Sequence, residues 1–127
     1  MKFLARLAPY FLSALRIAAA ITFIEHGTQK LFGVPTGPRV ALASLIGLAG
    51  LVETFGGALM LLGALTRPVA FVLAGEMAYA YFTVHAPQGR WPIQNQGELA
   101  VLYCFLWLYF SAAGAGPISL DRAMRRA

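Results

Sequence analysis

Apolar side chains run almost unbroken through four stretches of this chain, residues 9–32, 40–63, 68–85 and 97–113. At 1.5 Å rise per residue, about 17–25 residues cross a hydrocarbon core of about 30 Å. The first two stretches meet that length outright, and the third and fourth reach it by extending into the interfaces. Arg16 interrupts the first stretch and no small-x-small site closes it, so it reads as a retained span rather than a cleaved signal peptide. The expected architecture is an all-α membrane protein, a single domain over residues 1–127. Its four transmembrane helices form an up-down-up-down bundle, followed by a short amphipathic C-terminal tail at 114–127.

Breakers separate the stretches. Gly33, Pro35, Gly37 and Pro38 end the first and precede the second. Gly63 through Pro68 is a tight reversal, with Pro68 suited to a first helical turn. Pro87, Gly89, Trp91 and Pro92 fill the third loop, where Trp91 suits an interfacial aromatic belt. After Gly114-Ala115-Gly116-Pro117, Ser119 is placed to cap a short helix carrying Asp121, Arg122, Arg125 and Arg126, which would lie on anionic headgroups.

Composition agrees with the pattern. The chain is 59% hydrophobic and 12% charged, against about 25% charged in soluble domains. A net charge of +5 needs no nucleic acid to explain it, because the basic residues lie between and beyond the spans. Lys2, Arg6, Arg67, Arg122, Arg125 and Arg126 share the side of both termini, against Lys30, Arg39 and Arg90 opposite. That asymmetry predicts both termini in the cytoplasm. The single cysteine, Cys104, excludes an intramolecular disulfide and a dithiol mechanism within the chain.

The acids reverse the usual distribution. Each apolar stretch contains one glutamate, Glu25, Glu53, Glu76 and Glu98, and Asp121 is the only other acid. An ionised side chain inside a span costs roughly 2–3 kcal/mol to insert unless paired or protonated. Gly50, Glu53 and Gly57 share a helical face whose small residues admit a neighbouring helix. Glu53 is therefore expected inside the bundle, with Glu76 at similar depth on the third helix and Arg16, the only deep cation, as their counter-ion. One arginine cannot neutralise both, so one carboxylate carries a proton or the pair shares one. A structural ion-pair lock explains the same residues equally well. A second polar layer, Glu25, His26, Gln29, Lys30, His85 and Glu98, is expected to line an outward-facing pocket, although the helix dipole alone accounts for Glu98. Both histidines end helices near water, which argues against haem, and no metal-ligand spacing is evident. No dinucleotide, phosphate-loop, serine-elbow or zinc-protease motif occurs.

These residues, taken in order, resemble the DoxX family of small bacterial membrane proteins. The resemblance rests on Glu25-His26-Gly27-Thr28-Gln29-Lys30-Leu31-Phe32-Gly33, on Gly50-Leu51-Val52-Glu53 with Gly56-Gly57, and on Leu62-Gly63 with Thr66-Arg67. It continues through Gly97-Glu98-Leu99-Ala100-Val101-Leu102-Tyr103 and Gly114-Ala115-Gly116-Pro117-Ile118-Ser119-Leu120-Asp121. The segment between the first two helices is shorter here than in many members. The resemblance implies a four-helix membrane bundle associated with redox systems, such as thiosulfate:quinone oxidoreductase.

The leading expectation is a membrane subunit of a redox system, an oxidoreductase component that handles quinone. Glu53, Glu76 and Arg16 would form a proton and charge site, and Glu25, His26, Gln29, Lys30, His85 and Glu98 would bind a substrate or headgroup. The expected partners are the lipid bilayer and a redox enzyme subunit or a second copy of the chain. The alternatives are a non-catalytic anchor or scaffold for a partner complex and, behind it, a small proton-coupled transporter.

Overall fold

The breakers between the apolar stretches set the helix ends. In the computed structural model, which describes residues 1–125, Gly33 takes a left-handed conformation and returns its N–H to the Gln29 carbonyl, ending α1 (Lys2–Phe32). The Ser44 hydroxyl accepts from Gly47 N–H at 3.0 Å and starts α2 (Leu45–Leu62), which Gly63 closes, again left-handed. Next come α3 (Thr66–Ala80), a one-turn α4 (Pro92–Asn95), α5 (Glu98–Ala113) and α6 (Leu120–Met124). Among the described residues no strand forms.

Several boundaries differ from expectation for local reasons. α1 begins near Lys2 rather than at residue 9, and Pro9 is accommodated within it. α2 starts five residues late, because residues 40–44 fold back onto α1, with Val40 N–H donating to the Lys30 carbonyl at 2.9 Å. α3 continues beyond Ala80 through a π-helical turn, Tyr81–His85, and a 3-10 turn, Ala86–Gln88. Between the third and fourth apolar stretches, Pro92–Asn95 form the separate turn α4.

The protein is thus all-helical. α1, α2 and the 23-residue run Thr66–Gln88 are long and apolar enough to cross a membrane, and the apolar α5 is shorter. α1 packs along α2 and α3 packs along α5, while α2 and α3 meet over a smaller area. Aromatic rings join the two pairs. Phe23 of α1 stands edge-on to Tyr103 and Trp107 of α5, with ring centroids 5.1 and 5.3 Å apart. Met60, Leu73 and Phe110 complete this core. Large apolar residues on the outside, among them Phe55, Phe71, Phe82 and Phe105, present a surface suited to lipid.

The end that carries both termini is closed by Arg16 and Asp121. Arg16 is only 1% exposed, but it does not meet Glu53 or Glu76 as expected. Its Nε donates to the Ala115 carbonyl at 3.0 Å and its Nη2 to Ile118 at 2.5 Å, while Nη1 serves Met60 and Leu61. A helix end leaves carbonyls without partners. Arg16 fills that need for α2 and for the returning C-terminal segment at once.

Asp121 does the converse for α3. Its two carboxylate oxygens accept from the N–H groups of Leu65 at 2.8 Å and Thr66 at 2.9 Å. That cap starts α3 at Thr66 rather than at 68. Ser119 caps α6 as expected, but the tail folds back onto the helix ends through Asp121, with its own N–H on the Gly63 carbonyl at 2.9 Å. Arg126, assigned to the tail, lies outside the described residues.

Burial alone would raise the Asp121 carboxyl. Hydrogen bonds from Thr66 and Leu65 and the charge of Arg125 outweigh it and hold the group below its ordinary 3.8. A depressed carboxylate stabilises the fold above its ordinary value and loses that contribution as pH falls through the lower folded value. Asp121→Asn should therefore cost about 1 kcal/mol at neutral pH, in the range of a lost helix cap. In thermal unfolding of detergent-solubilised protein, the gap to wild type should close as pH drops below 3.8. A gap that stays constant through that acidification contradicts the charged clamp.

Candidate functional site

Glu53 lies where its glycine-flanked face predicts, 2% exposed between α1 and α2. A Cβ built on Gly50 would stand 3.0 Å from the Lys30 Cβ and 3.1 Å from Leu31, so the missing side chain lets the Lys30 stem cross there. Lys30 Nζ then reaches Glu53 Oε1 at 2.5 Å. This is the one ion pair among the described residues. The partner of Glu53 is thus Lys30, assigned from sequence to the outer layer, and not Arg16. A lysine stem is long and flexible enough to carry its charge several ångströms from its own Cα, and here it points inward along the bundle.

One cation does not settle the charge. Glu53 Oε2 and both carboxylate oxygens of Glu76 are buried without a hydrogen-bond partner. Buried polar atoms are nearly always satisfied, and an orphaned charged one is especially costly. These three oxygens border a cavity of about 560 Å³ between α2 and α3, which Lys30, Glu53, Glu76 and His85 line together. Its other walls are apolar, with Val52 and Met77 inside and the exposed Leu45, Ile46, Leu48 and Val72 at the rim. A Cβ built on Gly75, beside Glu76, would meet nothing within 4 Å. The absence of a side chain there keeps the groove open on the flank of the molecule.

A second cavity of about 280 Å³ shares Lys30, Glu53, Met77, Ala80 and His85 with the first. It adds His26 and Gln96, over Phe23 and Tyr103. Tyr103 is itself held by a hydrogen bond to the Thr22 hydroxyl. Of the two polar layers expected at different depths, Glu53 and Glu76 of one and His26, Lys30 and His85 of the other therefore line two adjoining cavities.

His85 is placed by the π turn, in which its ring stacks near Tyr81 at 6.5 Å between centroids. Its Nδ1 lies 3.1 Å from the Asn95 carbonyl. A carbonyl only accepts, so Nδ1 is the donor in this contact. Asn95, 1% exposed, organises this loop. Its Nδ2 donates to the Gly89 carbonyl at 2.9 Å and its Oδ1 accepts from Gly97 N–H at 2.8 Å.

Asn95 was not among the residues that the sequence singled out. The helix-breaking Gly97 beside it was the available signal.

The remaining expected residues stand apart. Glu25 and Glu98 are exposed, and neither they nor Gln29 line either cavity. Glu98 occupies the first turn of α5, where the helix dipole favours it. Equal depth suggested one layer, but helical phase turns these side chains away. Glu25, His26, His85 and Glu98 therefore do not form the metal cluster that their types allow, and among the described residues no three such groups converge.

The ion pair has a measurable consequence. Lys30→Met strands Glu53 in a buried site and should destabilise by about 3–5 kcal/mol, whereas Lys30→Met combined with Glu53→Gln should recover much of that loss. A double-mutant cycle on unfolding of the detergent-solubilised protein measures this coupling. Additive effects would show that the pair contributes no interaction of its own.

Lipid-compatible helices around a buried carboxylate–lysine site define a helical membrane protein with an internal polar centre. The chain belongs to the DoxX family, whose model matches residues 11–86. It is also similar, at 47% identity, to an uncharacterized protein of Haemophilus influenzae, the match covering 95% of this chain and 96% of that protein. No solved structure matches.

Proposed function

We propose that this DoxX-family membrane protein is the quinone-handling subunit of a redox system, with the groove between α2 and α3 as the quinone site. The observation that carries this reading is the pair of unpartnered Glu76 carboxylate oxygens, buried in a groove whose rim is apolar and open on the flank. A lipophilic molecule with a small polar head matches both parts. Its tail lies along the rim, and its head supplies the hydrogen-bond partners that the protein withholds.

The donor set fits a quinone or quinol head. Lys30 donates to a carbonyl, Glu76 and Glu53 Oε2 accept from a hydroxyl, and His85 offers a further proton acceptor. A quinone supplies a couple that takes up electrons and protons together, and the electrons pass to or from a redox partner subunit. The chain's own groups hold and move the protons, from Glu76 through the Lys30–Glu53 pair towards His85 and His26 in the second cavity. Arg16 has no part in this, since its guanidinium is committed to four carbonyls.

The reading carries a topology with it: four spans running up-down-up-down, both termini cytoplasmic, in a bacterial inner membrane. The basic residues gathered at the terminal end support that orientation.

Equilibrium binding of a short-tailed quinone to the purified protein in nanodiscs tests the proposal. Wild type should bind saturably. Glu76→Gln should weaken binding by about 10–100-fold, as expected for loss of a charge-assisted hydrogen bond. Gly75→Trp should abolish binding by filling the groove, and Glu98→Gln, away from it, should change nothing. No saturable binding by wild type, or equal binding by Glu76→Gln, rejects the proposal. A scaffold role predicts instead that the Glu76 substitution alters folding and partner recovery together.

A further inference from the structure

A third cavity, also of about 560 Å³, lies at the opposite end of the molecule, beside the chain termini, and the quinone proposal does not use it. Helix α1, the start of α3 and the returning segment 113–125 enclose it. Three arginines line it, Arg67, Arg122 and Arg125, against one acid, Asp121. That acid offsets part of the charge, since it acts on Arg125 while both of its oxygens accept from the Leu65 and Thr66 N–H groups, and three cations remain against one anion. The wall therefore presents an excess of positive charge.

The arginines are differently committed. Arg67 Nη1 donates to the Ala112 carbonyl at 2.6 Å, which fixes its side chain across the end of α5. Among the described residues, its Nε and Nη2 have no acceptor, and neither do the guanidinium groups of Arg122 and Arg125. Forked donors of this kind match the oxygens of a phosphate. The remaining wall is apolar, formed by Pro9, Leu12, Leu65 and Pro68, and Leu65 is 60% exposed. A free anion has no use for such a wall, whereas an amphiphile uses both parts.

We propose that this cavity binds the phosphate headgroup of an anionic phospholipid, held by Arg67, Arg122 and Arg125 with the upper acyl chains against Leu12 and Leu65. The position is right for it: the apolar helices end here, where a headgroup layer meets the protein. The C-terminal segment that forms the wall is tied to α1 and α2 through Arg16. A bound lipid would therefore bridge this segment, α1 and α3.

Purified full-length protein in a neutral detergent, examined by native mass spectrometry, tests the proposal. Phosphatidylglycerol, phosphatidylcholine with the same acyl chains, and inorganic phosphate are titrated separately. Phosphatidylglycerol should bind at least tenfold more tightly than phosphatidylcholine. Arg122→Gln with Arg125→Gln, both exposed positions, should weaken phosphatidylglycerol by about 30-fold, roughly fivefold per arginine, and weaken the zwitterionic phosphatidylcholine less. Arg90→Gln at the other end should have no effect. Equal binding of the two lipids, or phosphatidylglycerol binding untouched by the double substitution, overturns the proposal. Displacement of the lipid by an equal concentration of inorganic phosphate overturns it too, because the site would then take the free anion.

Discussion

Arg16 fixes more of this molecule than any other side chain. From the middle of α1 it serves the last carbonyls of α2 and two carbonyls of the returning C-terminal segment, all inside the protein. Removing it would take the donor from the Leu61, Ala115 and Ile118 carbonyls together, while Met60 keeps the Gly63 N–H; a buried acceptor left without a partner costs roughly 1–3 kcal/mol. The Asp121 clamp on α3 depends on the same segment being held in place. α1, α2, α3 and the tail therefore meet at one residue. Because its donors are spent there, Arg16 cannot neutralise the acids deeper in the chain.

That commitment shapes the other half of the molecule. Glu53 and Glu76 lie between helices that suit a membrane, and the cation beside them, Lys30, bonds to Glu53 alone. Glu76 keeps two unsatisfied oxygens in an open groove. A structural ion pair would be closed and fully bonded, since an incomplete polar network in a low-dielectric interior is costly. The molecule instead separates a saturated charge centre at the terminal end from an unsaturated one deeper in. The first holds the helices together, and the second keeps carboxylate oxygens without a partner.

Much of the helical plan was legible because long apolar runs and glycine or proline breakers act locally. Gly33 and Gly63 closed elements through their own backbone, and the spacing of Gly50, Glu53 and Gly57 placed Glu53 inside. The partners were not legible. Arg16 finds its acceptor at Ala115, 99 residues away, in a tail whose short charged helix suggested only a membrane-surface segment. Lys30, near the end of its helix, pointed outward by position, and only the glycine opposite shows that its stem runs inward. Glu25 and Glu98 shared a depth with the histidines but not a helical phase. The π turn that sets His85 depends on α4 and Asn95 packing below it, which no local pattern announces.

The central claim is that Glu76 is an unsatisfied proton-exchanging group facing a lipophilic ligand. Infrared difference spectroscopy of the reconstituted protein, with and without a short-tailed quinone, reads the carboxyl stretch directly. The account predicts a carboxyl band that shifts on quinone addition and is missing from Glu76→Gln, while Glu98→Gln leaves it in place. A spectrum with no carboxyl change on addition, or a change that persists in Glu76→Gln, would contradict it.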